Sequence, residues 1–186
     1  MTNDLREIDN EPSTINGDGF QMKRLYVLRH AKSSWDDAGL SDFDRPLNKR
    51  GLETAPFMGR TMLEKDYIPD IVVASPAARA ASTAKLAAKA ASFSRSLSFD
   101  ERIYEASPQT LMEVISEFEP KADSGMIVGH NPGMEGLIRA LTGELTSMPT
   151  AALAVIDLNI DEWSAIRPGS GKLVEVLRPK ELGKLT

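Results

Sequence analysis

The chain has 186 residues, which is long enough for one domain with a full hydrophobic core and short for two ordinary domains. Its net charge of -5 gives no overall attraction for nucleic acid or an anionic membrane, and its lack of cysteine excludes disulfides, thiolate metal ligands and a cysteine nucleophile. No apolar stretch approaches the ~20 residues that a membrane-spanning helix needs.

The first 21 residues contain acids, Asn, Ser, Gly and a single Pro. They have neither the apolar core of a signal peptide nor the Arg-rich, acid-poor character of a transit peptide. We therefore interpret residues 1–21 as a flexible extension and residues 22–186 as a single domain. Because the absence of cysteine suits a reducing compartment, we expect a soluble, cytoplasmic protein.

Six apolar runs are predicted as strands, in chain order 24–29, 71–74, 126–128, 152–158, 163–167 and 173–177. Helical patterns separate the first three runs, and such alternation is typical of parallel strands joined by crossovers. Turn-like residues join the last three, which therefore predict an antiparallel edge. The expected fold class is α/β, a three-layer sandwich whose mostly parallel sheet has helices on both faces and an antiparallel C-terminal edge.

Four start signals mark where the predicted helices begin: the capping residues Asn48, Ser75 and Ser107, and then Pro132, which opens the last helix. Pro76 and Pro108 follow the two serines, at the first helical position where proline is favoured. We expect Pro56 to disturb the first turns of the first helix, and Gly143 to end the last one. A long polar loop over 31–47 precedes the first helix, and loops of this length are often functional.

The two histidines of the chain each close an apolar run, at the carboxyl end where open α/β sheets build their sites. His30 follows Arg29 at the first such end, and His130 closes another; Arg79 lies near the start of the helix after the second strand. Phosphoryl transfer needs a nucleophile in line with the leaving group and positive charge on the equatorial oxygens. A neutral histidine can be the nucleophile, and the planar, positively charged guanidinium of arginine can bind the equatorial oxygens.

His130 has a different expected task, since a protonated imidazole donates to a phosphoryl oxygen and an anionic phosphate favours that charged form. Backbone N–H groups near Pro132 would add donors for the same phosphate. Taken singly, each of these side chains is equally well explained as a polar residue at a sheet edge. Ser75 is interpreted as a helix cap rather than a nucleophile.

The joint pattern resembles the histidine phosphatase superfamily, the phosphoglycerate mutase-like proteins. The resemblance covers roughly residues 23–178 and rests on three motifs, Leu28-Arg29-His30-Ala31, Ala74-Ser75-Pro76-Ala77-Ala78-Arg79-Ala80 and Val128-Gly129-His130-Asn131-Pro132. Small size and residues 29–35 and 42–51 make the chain similar to the SixA-type phosphohistidine phosphatases. The resemblance implies that His30 is the phosphorylated nucleophile and that Arg29, Arg79 and His130 complete the phosphate pocket. It also implies a contact from Arg45, and we add Asn131 as a candidate phosphate ligand.

Relatives that cleave phosphate esters use an acidic general acid after the second motif, and the candidates here are Glu105 and Glu101. Both are equally well explained as solvated charges before a helix. A phosphohistidine whose ring is already protonated leaves as neutral imidazole, whereas an alkoxide gains ~10²–10⁴ in rate from an acid. A weak acid therefore favours phosphohistidine. Phosphoglycerate mutases carry a long lid-forming insertion between the second and third motifs, whereas only 50 residues separate Arg79 from His130 here. The resemblance therefore implies an open, shallow site, better suited to a protein-borne phosphate.

The leading hypothesis is a phosphatase that removes phosphate from phosphohistidine on a protein through a phospho-His30 intermediate. The alternatives are a small-molecule phosphomonoesterase with Glu105 as general acid, and a phosphate-recognition module without turnover. No metal or other cofactor is expected, because the acids of the 31–47 loop lack the spacing of a Mg²⁺ site and are expected to be solvated or paired with Lys32, Arg45 and Arg50. The family implies a phosphohistidine-bearing signalling or phosphotransfer protein as partner, and we expect a monomer that binds neither nucleic acid nor membrane.

Overall fold

The structure, a computed structural model, describes residues 22–93 and 97–183; the predicted extension over 1–21 lies outside them. Six strands and four α-helices follow one another in the order β1 (Lys23–Arg29), α1 (Lys49–Glu64), β2 (Ile71–Ala74), α2 (Ala78–Ala90), β3 (Leu97–Phe99), α3 (Pro108–Ser116), β4 (Ser124–Gly129), α4 (Gly133–Thr142), β5 (Leu153–Leu158) and β6 (Gly171–Leu177). Two short 3-10 helices, Glu101–Ile103 and Trp163–Ala165, precede α3 and β6.

The strands form one mixed sheet in the order β3-β2-β4-β1-β5-β6. β1, β2, β3 and β4 pair in parallel, whereas β5 pairs antiparallel with both β1 and β6. This confirms the predicted α/β class and its antiparallel C-terminal edge. No helix in residues 22–93 and 97–183 is both long and apolar enough to cross a membrane.

The sheet has a helical layer on each face because side chains alternate along β1. Leu25 and Val27 pack into a core with residues of α3 and α4, and Tyr26 and Leu28 pack into a second core with residues of α1 and α2. α1 and α2 approach so closely that a Cβ at Gly59 would overlap the backbone carbonyl of Ala87. Small residues at this crossing therefore set the spacing of that layer.

Most predicted helix ends are confirmed. The side chain of Asn48 accepts a hydrogen bond from the Gly51 amide at the start of α1, and Ser107 accepts one from the Thr110 amide at the start of α3. Gly143 ends α4 with a φ of 77°, a left-handed conformation that suits glycine. These three helix ends were thus well encoded by local chemistry.

The predicted disturbance of α1 and one predicted strand were wrong, and one strand was missed. Pro56 lies inside α1, which continues past it; the carbonyl that loses its partner belongs to Leu52, an exposed residue. The predicted strand over 163–167 is a 3-10 helix, in which buried Trp163 donates a hydrogen bond from Nε1 to the Ala122 carbonyl at 2.8 Å. The short edge strand β3 was absent from the predicted set.

The fold brings the two histidines together because β1 and β4 are adjacent and parallel, with Arg29 opposite Gly129 in the register. The backbone N–H of His30 donates to the Gly129 carbonyl at 3.0 Å. α2 begins beyond the end of the neighbouring β2, so Arg79 in its first turn lies at the same edge of the sheet. The carboxyl edge of the sheet is therefore the candidate site.

Candidate active site

His30 is a buried imidazole at the carboxyl end of β1, and only 8% of the residue is exposed. Its Nδ1 lies 2.8 Å from the Ala31 carbonyl, which only accepts, so Nδ1 must carry the proton. Nε2 consequently holds the lone pair. Burial lowers the pKa of His30 to about 4, and the positive charges of Arg79 and Arg29 act in the same direction, so the ring is neutral at pH 7 and suited to nucleophilic attack through Nε2.

His130 lies beside His30, with the two ring centroids 5.1 Å apart. Its Nε2 is 2.9 Å from the Ser75 hydroxyl oxygen, and its buried Nδ1 has no hydrogen-bond partner within residues 22–93 and 97–183. Burial, the neighbouring His30 ring and the Arg79 charge lower the pKa of His130 to about 3. The expected protonated form of His130 is thus disfavoured before phosphate binds, and its appearance with bound phosphate stays a prediction.

Ser75 does not cap α2, contrary to the prediction. The helix begins at Ala78 with Ala77 at the cap position, where no side chain provides a hydrogen bond. The Ser75 hydroxyl oxygen instead accepts from the Ala77 amide at 3.3 Å and meets His130. A fully buried serine in contact with an imidazole needs that partner, since an unpaired buried hydroxyl is costly.

Arg29 and Arg79 approach the site from different elements. Arg29 donates from Nη1 to the Met148 carbonyl at 2.7 Å, and its buried Nε has no hydrogen-bond partner in the part of the chain that the structure describes. Arg79 donates from Nη2 to the Asp42 carboxylate at 2.8 Å and from Nη1 to the Asp42 carbonyl. Both guanidiniums retain unused donors beside two neutral imidazoles, which is the combination that an anionic phosphoryl group requires.

Thr83 joins the elements that carry the site. Its hydroxyl donates to the Arg79 carbonyl at 2.7 Å and accepts from the backbone N–H of Ala31 at 2.9 Å. The first turn of α2 is therefore fixed directly to the residue that follows His30. This link holds the nucleophile and a guanidinium in one relative position.

Arg45 is nearly buried in the 31–47 loop, and its donors are largely used. It donates to the Ser34 carbonyl at 3.0 Å, the Ser33 hydroxyl at 2.7 Å and the Asp42 carboxylate at 2.8 Å. The Trp35 ring, 72% exposed, lies over the guanidinium, 3.1 Å from the centroid to the guanidinium carbon. The positive charge of Arg45 helps to lower the pKa of His30, behind burial, whereas its direct contact with phosphate stays a prediction.

Asn131 and the candidate acids are less closely tied to the imidazoles. The Asn131 amide donates to Glu135 at 2.8 Å and to the Met148 carbonyl at 3.1 Å, so both of its hydrogens are engaged and its predicted phosphate contact gains no support. Glu101 and Glu105 are exposed. Glu105 has a φ of 52°, a left-handed conformation that is uncommon for a residue with a side chain.

Asp42 is the residue that the sequence prediction undervalued. One carboxylate oxygen accepts from Arg45 and the other from Arg79 and from the Tyr104 hydroxyl, each at 2.8 Å. Burial raises the pKa of Asp42, but hydrogen bonds from Tyr104, Arg79 and Arg45 outweigh it and lower the pKa to about 2. The predicted pairing of loop acids with Arg45 is confirmed here, and the additional link to Arg79 was not predicted.

The Tyr104 ring, edge-on to His130 with centroids 5.4 Å apart, extends the site beyond the predicted residues. Phe43 also packs edge-on against Tyr104, with ring centroids 5.1 Å apart. Within the described ranges, no three His, Asp or Glu side chains are close enough together to hold a metal ion. The candidate active site thus contains two neutral imidazoles, three guanidiniums and the ionised carboxylate of Asp42, which pairs with two of the guanidiniums.

Comparison with known proteins agrees with this geometry. The sequence pattern of the histidine phosphatase superfamily (branch 1) matches residues 25–113. A proposed phosphohistidine phosphatase SixA from Agrobacterium tumefaciens is 31% identical, with a TM-score of 0.73 over 84% of this chain and 98% of that one. An uncharacterised chloroplast protein of Arabidopsis thaliana is 29% identical over 84% of this chain and 78% of its own length.

A further solved structure, the protein histidine phosphatase SixA complexed with tungstate, has the same fold. It matches with a TM-score of 0.75 at 21% identity over 86% of this chain and 99% of that one. The family match starts in β1 and extends into α3, and the resemblance to the Agrobacterium protein includes nearly all of that chain. The chain therefore belongs to the histidine phosphatase superfamily, is of the SixA type within it, and is a phosphatase.

Proposed function

We propose that this phosphatase removes phosphate from phosphohistidine on a protein. The Nε2 lone pair of His30 attacks phosphorus, the P–N bond of the substrate breaks, and the substrate imidazole leaves with the electron pair. Water then attacks the phosphorus of phospho-His30, which releases inorganic phosphate and restores the neutral ring. Arg29 and Arg79 stabilise the equatorial oxygens in both steps.

The ionisation of Asp42 is the observation that carries the choice of substrate. It is the carboxyl group that pairs with the site arginines in the described part of the chain, and with a pKa of about 2 it has no proton to give at neutral pH. Before phosphate binds, the two imidazoles are also neutral. Such a site suits a leaving group that already has its proton, as a protonated phosphohistidine ring does, better than an alkoxide.

The chain between the second and third motifs supports the same choice. The described residues between Arg79 and His130 form the rest of α2, β3, a 3-10 helix, α3 and β4. α3 packs into the core beneath the sheet, where Leu111 and Ile115 are fully buried. Most of this segment therefore belongs to the sheet and the helical layers of the domain. This favours an open site that a protein-borne phosphate can reach.

The relatives support the proposal by chemistry. The Agrobacterium protein is itself a proposed phosphohistidine phosphatase, and the other SixA structure holds tungstate, a tetrahedral oxyanion that resembles phosphate in shape and charge. We infer that the partner of this chain is a phosphohistidine-bearing carrier or phosphotransfer domain. His30 and His130, with Arg29 and Arg79, are the residues that we assign to its phosphoryl group.

The first test compares leaving groups. Phosphate release is measured in EDTA from a phosphohistidine carrier protein, an aryl phosphate and phosphoglycerate. We expect kcat/KM for the carrier to exceed that for phosphoglycerate by ~10²-fold or more. Phosphoglycerate leaves as an alkoxide, and the proposed site supplies no general acid to protonate it. A Glu105→Gln variant should change none of the three rates.

The opposite ranking has a specific meaning. Rapid phosphoglycerate cleavage that falls with Glu105→Gln would show an ester phosphatase with Glu105 as its acid, and would overturn the phosphohistidine assignment.

Unchanged phosphate release in EDTA is expected for the covalent histidine mechanism, which uses no metal ion. Loss of release in EDTA that Mg²⁺ restores would contradict it.

The pH dependence of kcat/KM should follow the His30 ring. Protonation removes the lone pair, so activity is retained above the folded-state pKa and lost as the pH falls through about 4. We expect a flat profile from neutral pH down to the region of pH 5, measured with two aryl phosphates whose own second pKa values differ. An acid limb near ~6.5, the ordinary value for histidine, in both substrates would contradict the depressed pKa of His30.

A further inference from the structure

Asp42 accepts hydrogen bonds from three side chains that surround the candidate phosphate pocket. Its Oδ1 accepts from Arg45, and its Oδ2 accepts from Arg79 and Tyr104, all at 2.8 Å. Its backbone carbonyl accepts a further hydrogen bond from Arg79. The same residue thus holds both η nitrogens of one guanidinium and one of another.

The backbone around Asp42 is itself fixed. The carbonyl of Phe43 accepts from the Ala78 amide at the start of α2 at 3.0 Å. The Phe43 ring packs on Tyr104, and Arg45 is held by Ser33 and Ser34 near the end of β1. Although 48% of its side chain is exposed, Asp42 is therefore attached to the elements that carry both His30 and Arg79.

We propose that Asp42 is a positioning residue that orients Arg79 towards the phosphoryl group, with Arg45 and Tyr104 holding its carboxylate in place. The proposal rests on the phosphoryl-transfer role of Arg79 given above. A guanidinium has five donor hydrogens, and Asp42 takes two of those of Arg79, which fixes its plane and leaves the remaining donors for equatorial oxygens. Asp42 itself does not touch the reacting atoms in this scheme.

The negative charge of Asp42 distinguishes this role from simple phosphate binding. A carboxylate beside the pocket repels an anionic substrate, so its retention there works against affinity. Orientation has the opposite effect on rate, since a reacting group misplaced by ~1 Å can cost ~10² in rate. Removing the charge should therefore lower kcat without raising KM.

The test is a double-mutant cycle between Asp42 and Arg79. We expect Asp42→Asn to lower kcat by ~10- to 100-fold with KM unchanged or reduced, because the amide keeps one acceptor oxygen but turns an N–H donor towards the other guanidinium, which breaks the paired arrangement that holds Arg79. In an Arg79→Lys background the same change should cost only ~3-fold or less, since lysine has no planar fork to orient. Asp44→Asn is the matched control: it removes an equal charge from the same loop, where Asp44 accepts, among the residues that the structure describes, a hydrogen bond from Ser41 alone.

Three results would overturn the proposal. They are an equal loss from Asp42→Asn in both backgrounds, a loss no larger than that of Asp44→Asn, and a rise in KM at unchanged kcat. If Asp42→Asn fails to fold by circular dichroism, Tyr104→Phe takes its place in the cycle, because it keeps the ring and removes one hydrogen bond that holds Asp42. Its effect on kcat must then also shrink in the Arg79→Lys background.

The cycle is run with the aryl phosphate as well as the phosphohistidine carrier. Both substrates present the same phosphoryl oxygens to Arg79, so the coupling should appear with either. An inert carrier with normal coupling on the aryl ester would reject the proposed substrate and keep the role of Asp42. Normal turnover of the carrier without coupling between Asp42 and Arg79 would keep the proposed substrate and reject the role of Asp42.

Discussion

Replacing His30 with Ala is expected to lower kcat by ~10⁴-fold or more and to abolish covalent labelling by a phosphate donor. Nδ1 of His30 is held by the Ala31 carbonyl, so Nε2 is the ring atom available to form the P–N bond. The measurement is stoichiometric incorporation of radioactive phosphate after rapid quenching in alkali, combined with steady-state phosphate release. Phosphohistidine survives alkali and is lost in acid, which identifies the labelled side chain.

His130→Ala provides the control for this experiment, because it removes the other imidazole of the same pocket. We expect this variant to turn over slowly and still to become labelled on His30. Labelling that persists in His30→Ala, or that disappears only in His130→Ala, would exchange the roles of the two rings. Turnover without any label in the unmodified protein would point to direct attack by water.

Arg79→Ala is expected to lower kcat/KM by ~10²–10³-fold, the usual cost of removing one donor to a developing negative charge. The loss should be larger than for an exposed arginine, since the Arg79 guanidinium is nearly buried beside His30 and His130. Arg102→Ala is the matched control, as Arg102 pairs with Asp100 and Glu117 at the surface. Measured rates and inhibition by tungstate should both be near normal in that control.

A different pattern would contradict the assignment of Arg79. Equal losses in Arg79→Ala and Arg102→Ala would indicate a general effect of positive charge rather than a local donor. Loss of tungstate binding with unchanged kcat would indicate that Arg79 binds ground state and transition state equally. Thermal unfolding of each variant establishes that the comparison concerns folded protein.

The sequence predicted the parts of this site that depend on strand ends. His30 and His130 each close an apolar run, and parallel pairing of those runs is enough to bring them together. Helix caps such as Asn48 and Ser107 were equally local, because a side chain there bonds an amide only three residues away. These features depend on neighbours in sequence or on a general rule of sheet architecture.

The features that were missed depend on contacts between distant segments. Asp42 gains its importance from Arg79 and Tyr104, which are 37 and 62 residues away. Ser75 looked like a helix cap until its contact with His130, 55 residues away, was known. Trp163 suited a strand by pattern, yet its indole nitrogen reaches Ala122 and its ring packs on Phe118. Patterns of neighbouring residues do not predict contacts between residues that are far apart in the sequence.

The two buried neutral imidazoles also tie the folding equilibrium to acidity. Each has a folded-state pKa, about 4 for His30 and about 3 for His130, below the ~6.5 of an unfolded chain. Below about pH 6.5 the two histidines are therefore protonated in the unfolded chain but remain neutral in the folded chain. The free energy of unfolding consequently falls by up to ~1.4 kcal/mol per pH unit for each ring, until the folded-state pKa of that ring is reached. The side chains assigned to phosphoryl transfer thus make the folded domain progressively less stable as the pH falls below the ordinary pKa of histidine.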